Sequence, residues 1–142
     1  MAKPEVQPAG YSGTPLVDKL GLKENFKIRI VNRPGYYFDL LPRLPKGIRI
    51  LTDRKTKKDQ VHYFVKESKE LMRAIPALKD EIEQNGTIWI SWPKKSSGVE
   101  TDVTEDVVRK SALSNGLVDV KVCAIDEMWS GLKLVIPVKN RK

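Results

Sequence analysis

One cysteine and one histidine stand among 142 residues. That shortage excludes an intrachain disulfide framework and leaves too few ligands for an ordinary structural zinc site. Long apolar runs are missing as well: none approaches the ~18 residues that a membrane span needs. The opening MAKPEVQPAGYSGTP has no apolar stretch behind its single lysine, so neither export nor membrane insertion is expected and the cytoplasm is the expected compartment. No catalytic word, metal-ligand cluster or P-loop spacing occurs. No catalytic residue, metal or cofactor is therefore assigned from sequence.

Apolar residues make up 40% and charged residues 31% of the chain, the balance of a globular domain rather than of a disordered or collagen-like chain. A chain of ~140 residues can bury roughly two-thirds of its surface without disulfide or metal staples. The 26 basic and 18 acidic side chains give a net charge of +8. Residues 1–70 hold 15 of the basic and 8 of the acidic groups, against 11 and 10 in 71–142, so the basic character belongs to the first half. Pro4, Pro8, Gly10 and Gly13 with few apolar residues predict an extended or disordered arm over 1–13. One α/β domain is expected over 14–142.

Thr14 as N-cap, Pro15 at the first helical position, the stripe Leu16, Val17, Leu20 and the stop Gly21 predict a short helix over 14–21. Phe26 to Val31 alternates apolar and basic residues up to the turn Asn32-Arg33-Pro34-Gly35, which predicts a strand with Lys27 and Arg29 on one face. Tyr37, Leu40, Leu41 and Leu44 lie at helical spacing with Pro42 among them. Ile48 to Leu51 is a second strand, 53–59 a basic loop, and Val61 to Val65 a third strand. Leu71, Ile75, Leu78 and Ile82 predict an amphipathic helix over 68–84, kinked at Pro76 and stopped by Asn85-Gly86. Thr87 to Trp92 is rich in β-formers and suits a strand buried on both faces. Asp102 with Glu105 three residues on resembles a capping box for a helix over 102–114. Strands over 118–125 and 132–138 have too little chain between them for a crossover and should be antiparallel.

Strands alternating with helices predict an open α/β sheet with helices on both faces, mostly parallel, ending in an antiparallel hairpin. Residues 53–60 must link strands two and three, and at ~3.3 Å per residue they barely cross a sheet face. A hairpin between those strands is the alternative.

Gly10-Tyr11-Ser12-Gly13-Thr14-Pro15-Leu16, Trp92-Pro93-Lys94-Lys95 through Thr101-Asp102-Val103-Thr104-Glu105, Gly116-Leu117-Val118-Asp119, Lys121-Val122-Cys123-Ala124 and Trp129-Ser130-Gly131-Leu132 resemble a bacterial family catalogued only as domain of unknown function 3052. That resemblance implies no activity, cofactor or catalytic residue. The succession of a long helix, Thr87 to Trp92, another helix and a terminal hairpin is also similar to the second half of Rossmann-like SAM-dependent methyltransferases. It implies a three-layer sheet of about six strands in the order 2-1-3-4-6-5.

Cofactor binding in such folds needs glycines after the first strand, so that backbone N–H groups can approach the ligand. Here Gly35 stands alone, Pro34 lacks an N–H, and Tyr36 and Tyr37 crowd the turn; measurable SAM affinity is not expected. Lys94, Lys95, Ser96 and Ser97 leave the carboxyl end of a central strand, where open α/β sheets bind ligands. With Trp92 at the strand end and Trp129 and Ser130 in the hairpin turn, they form the candidate site for an anion or a protein partner. Asp53, Arg54 and Lys55 are the alternative site. Trp89 and Trp92 should face opposite sides of the sheet; core packing is the default for the tryptophans, with Trp129 in the hairpin turn the one with the better case for exposure; His62 should be structural, and Cys123 should be buried and inert. Thr101, Asp102 and Thr104 read as helix-capping residues.

The expected function is a non-catalytic Rossmann-like domain that binds a partner or a small anionic ligand at the carboxyl edge of its sheet. A reduced SAM-dependent enzyme is one alternative. A nonspecific nucleic-acid binder is another, raised by Arg54, Lys55, Lys57 and Lys58 with the Lys139-Asn140-Arg141-Lys142 tail.

Overall fold

A computed structural model describes residues 14–142, so the arm expected over 1–13 lies outside the described residues. Helix α1, Leu16–Leu20, comes first and ends at Gly21, whose φ of 73° closes the C-terminus as expected. Pro15 precedes the helix rather than occupying its first turn, and no side chain caps it. Strand β1, Lys27–Val31, follows, then β2, Arg49–Ile50, and β3, Lys58–Phe64. Helix α2 is Ser68–Glu81 and runs directly into β4, Ile82–Pro93. Helix α3, Glu105–Ser114, leads to the hairpin of β5, Val118–Ala124, and β6, Trp129–Val135.

The six strands form one sheet in the order β2-β1-β3-β4-β6-β5. β1 is parallel to both β2 and β3, β3 is parallel to β4, and β6 runs antiparallel to β4 and to β5. This is the predicted Rossmann-like order. The hairpin alternative for β2 and β3 is therefore out: the short connection over 51–57 does cross the sheet face over β1.

Alternation assigns the two faces. Ile88, Ile90 and Trp92 of β4 face α2 and α3, in a core with Leu71, Ile75, Val108 and Ala112. Trp89 faces the other way, in a second core with Leu20 of α1, Tyr37, Phe64 and Trp129. The indole N–H of Trp89 donates to the Leu20 carbonyl at 3.1 Å and ties α1 to the sheet.

Three local expectations fail for identifiable reasons. Only Tyr37–Leu40 forms a helical turn, of 3-10 type, in the segment with helical spacing, because Pro42 and Pro45 stop it. Its apolar side chains still pack as the spacing predicted: Tyr37 and Leu41 are buried, and Leu40 and Leu44 pack against them. Asn85-Gly86 does not stop α2 but lies inside β4, where the pairing with β3 slips between Lys58 and Gln60. A Cβ at position 86 would sit 3.0 Å from the Lys58 and Glu83 carbonyls. The glycine thus permits a close backbone approach at a bulge rather than a helix C-cap. Lys58, read as part of a solvated basic loop, is the first residue of β3 and fully buried.

Candidate functional site

All carboxyl ends of the parallel strands lie on one edge, and Pro93 of β4 pairs with Trp129, so the hairpin turn over 125–128 lies on that edge too. The turn after β1 is held by its own side chains. Asn32, at φ 58°, donates from Nδ2 to the Phe64 carbonyl at 3.1 Å and to Glu70 at 3.2 Å. The Pro34 carbonyl accepts the Tyr37 N–H at 3.0 Å. Gly35 has no left-handed φ, and a Cβ there would meet nothing within 4 Å.

Tyr37 is buried, with its hydroxyl 2.9 Å from His62 Nδ1, while His62 Nε2 lies 2.8 Å from the buried Ser91 hydroxyl. The His62 ring stacks on Phe64 with centroids 4.4 Å apart, and Phe64 meets Trp129 edge-on. Burial lowers the His62 pKa to about 3, so the imidazole is neutral in the fold. This is the structural histidine expected from sequence. In the unfolded chain it titrates near ~6.5, so between these values only the unfolded state takes up the proton, and stability falls as pH falls. Going from about pH 7 to about pH 5, this one group should cost roughly 2 kcal/mol of unfolding free energy. Urea unfolding of His62→Gln at the same pH values should lack that part of the loss; an unchanged pH dependence would show His62 to be protonated in the fold.

Tyr36 reaches across the edge to the hairpin turn. Burial, and then the adjacent Asp126 carboxylate, push its phenol up to about 12. Asp126 is itself buried, and its Oδ1 accepts the N–H groups of Met128 and Trp129, each at 2.8 Å. Trp129, the tryptophan with the better case for exposure, follows the core-packing default instead and is buried among the second core's aromatic rings, because Asp126 folds the turn back over the sheet edge. The Trp129 indole N–H has no acceptor in hydrogen-bond geometry among the described residues, although the Tyr36 phenol lies beside it.

The candidate residues after β4 occupy the same edge. Lys94 donates its backbone N–H to Met128 at 2.8 Å, and burial lowers the pKa of its ammonium. Lys95–Ser97 is a 3-10 turn in which the Ser97 hydroxyl donates to the Lys94 carbonyl at 2.6 Å and accepts from the Val99 N–H. Lys95 and Ser96 are left projecting into solvent. Trp92 and Trp129 do not wall one cleft, since they point to opposite faces of the sheet. Ser130 is paired opposite Trp92 and shares its face.

The alternative site is partly used up. Asp53 accepts the Thr56 N–H at 2.7 Å, which holds its pKa down, and its carbonyl accepts from Lys58 Nζ. Lys57 Nζ donates to the Asp80 carbonyl. Of the basic run, Arg54, Lys55 and Lys57 remain exposed, and Lys58 alone is buried. Cys123 is half-buried on the outer strand β5 with its thiol pKa raised by burial, which makes it a weak nucleophile.

Sequence reasoning missed the role of Asp102. Thr104, not Asp102, caps α3, accepting the Val107 N–H at 3.2 Å. Asp102 instead accepts the backbone N–H and hydroxyl of Ser68 at 2.7 and 2.8 Å, at the start of α2. Those bonds hold its carboxyl below the ordinary range. Thr101 donates to the Lys66 carbonyl at 2.6 Å, so 101–102 stitches the β4–α3 loop to the β3–α2 loop. A cleft of about 450 Å³ lined by Lys66, Lys69, Glu100 and Asp102 lies there. The only sequence signal was two polar caps close together, which cannot reveal a partner 34 residues away.

A family model described as "Protein of unknown function (DUF3052)" matches residues 48–138. No curated protein matches the chain. Solved structures share its fold. A SAM-dependent methyltransferase from Aquifex aeolicus is 15% identical with a TM-score of 0.58, over 85% of this chain and 87% of that one. A ribosomal protein L11 methylase from Lactobacillus delbrueckii subsp. bulgaricus is 11% identical, TM-score 0.54, over 85% and 74%. Magnesium protoporphyrin IX methyltransferase from Synechocystis PCC 6803, with bound SAM, is 12% identical, TM-score 0.52, over 84% and 74%. Among the described residues no helix is long and apolar enough to cross a membrane.

Proposed function

The chain belongs to that family of unknown function, DUF3052, and on this premise we propose that it is a non-catalytic Rossmann-like domain that binds a partner or small anion at the carboxyl edge of its sheet. The observation that carries this reading is the turn after β1. SAM-binding relatives of the fold need room and backbone donors there. Here Pro34 offers no N–H, Tyr36 leans on Asp126, and the buried Tyr37 is bonded to His62. Asp53, where a ribose-binding acid would stand, accepts the Thr56 N–H through one oxygen in a turn of its own loop. These residues do not fit SAM.

Binding at the edge is supported by the projecting Lys95 and Ser96 and by Lys94 beside them. The exposed ammonium of Lys95 adds little to stability but attracts anions over a Debye length of ~8–10 Å. Changing Lys94 and Lys95 together to Ala should abolish binding of an acidic probe, such as heparin fragments or an acidic peptide. The melting temperature should stay nearly unchanged. Undiminished binding in the folded double variant would remove the edge from consideration.

A further inference from the structure

The missing helix between β2 and β3 leaves a strip of the α2 face uncovered. The 51–57 connection crosses β1 as bare chain, and beside it lies a groove of about 440 Å³. Its floor is Val31 of β1 and Tyr63 of β3, and one wall is the α2 stripe on which Ala74 and Ala77 are small enough to leave depth. Arg54 from the connection, Arg73 from α2 and Asn32 from the turn after β1 also line it.

The charges are not balanced. At one end Arg29 donates twice to Glu81, at 2.6 and 2.7 Å, and Lys58 Nζ lies 3.0 Å from the same carboxylate. Two cations therefore share one anion. At the other end Glu70 accepts from the Tyr63 hydroxyl at 2.9 Å and from Asn32. Arg54 and Arg73 have no hydrogen-bond or ion-pair partner among the described residues. The groove lining thus carries three guanidinium groups against two carboxylates, and the buried Lys58 beneath it raises the excess to two positive charges.

Guanidinium groups bind carboxylate or phosphate through paired N–H donors, and their flat faces stack on planar apolar groups. The volume falls in the range of ~300–1,000 Å³ usual for small-molecule sites. We propose that this groove is a binding site for a small organic anion with a flat apolar body and a carboxylate or phosphate head, held between Arg54 and Arg73. The groove opens on the α2 face, reaching the carboxyl edge only at Asn32, and none of Lys94, Lys95, Ser96 and Ser97 lines it.

The test is amide chemical-shift mapping on the full chain with naphthoate, naphthyl phosphate, neutral naphthol and inorganic phosphate as probes. Naphthoate or naphthyl phosphate should give saturable shifts centred on Arg54, Tyr63, Arg73 and Ala74, and whichever binds more tightly identifies the head group. Naphthol and inorganic phosphate should bind at least about tenfold more weakly, because each lacks one half of the recognition. Arg54→Gln with Arg73→Gln should lower the affinity by about tenfold or more. Ala77→Leu, an exposed substitution between good helix formers, should block binding with every charge in place. Lys94→Ala with Lys95→Ala should leave it unchanged, which separates this site from the edge. The proposal is overturned if neither anion gives saturable shifts, if the shifts centre on 94–97, if naphthol binds equally well, or if the Gln pair binds like the parent.

Discussion

Glu81→Gln is expected to lower the unfolding free energy by about 3–5 kcal/mol, the cost of leaving a buried charge without its counterion. Glu81 ends α2 with only 5% of its surface exposed, and Lys58 beneath it has none. The carboxylate takes Arg29 through both oxygens and Lys58 through one. Removing its charge strands Lys58, whose remaining partners are the Asp53 and Thr56 carbonyls. The same cluster joins the end of α2, β1, the start of β3 and the crossover, so its loss should be felt across all four. Lys58→Met in the Glu81→Gln background should recover part of the stability, because the stranded ammonium is then gone. Chemical denaturation of the two variants and the parent decides this. A loss below about 1 kcal/mol for Glu81→Gln would mean that the pair is solvated.

Trp89→Ala should cost about as much, roughly 3–5 kcal/mol, through a different mechanism. The indole is fully buried on the face opposite α2 and α3, and its N–H satisfies the Leu20 carbonyl. Alanine would open a cavity between β4 and α1 and leave that carbonyl without its donor. A Cβ at neighbouring Gly131 would lie 3.2 Å from the indole, and Ile125 crowds the same spot, so the surroundings are already tight. Trp89→Phe keeps most of the volume and loses the hydrogen bond, so it should cost less, about 1–2 kcal/mol. Thermal unfolding of both variants followed by circular dichroism measures the difference. Equal losses for Phe and Ala would assign the whole effect to the bond with α1.

The faces of the sheet were legible because they rest on short-range signals. Period-two alternation placed Trp89 and Trp92 on opposite faces, and Lys27 with Arg29 on one. Right-handed crossovers and the likeness to the methyltransferase fold supplied the order. What misled were signals with two physical meanings. Asn85-Gly86 suits a helix stop and a bulge equally, and only the approach of the Lys58 carbonyl decides between them. Asp102 suits the start of its own helix, yet caps α2 because the β4–α3 loop folds back onto Lys66 and Ser68. Lys58 read as solvated because its neighbours Arg54, Lys55 and Lys57 are cations. Its partner Glu81 is 23 residues on, and nothing local announces the pair. Trp129 was placed in a turn, where exposure is the rule; Asp126 draws the turn back over Phe64. For the candidate site, residue type and strand end were readable, but the internal use of the Ser97 hydroxyl was not.

Isothermal titration calorimetry of the full chain with SAM and with its demethylated product tests most directly the claim that this methyltransferase-like fold has given up its cofactor site. The turn filled by Tyr36 and Tyr37 and lacking the Pro34 N–H predicts no saturable heat with either compound. A micromolar dissociation constant for either one, weakened by Tyr36→Ala or Asp53→Ala, would contradict the account.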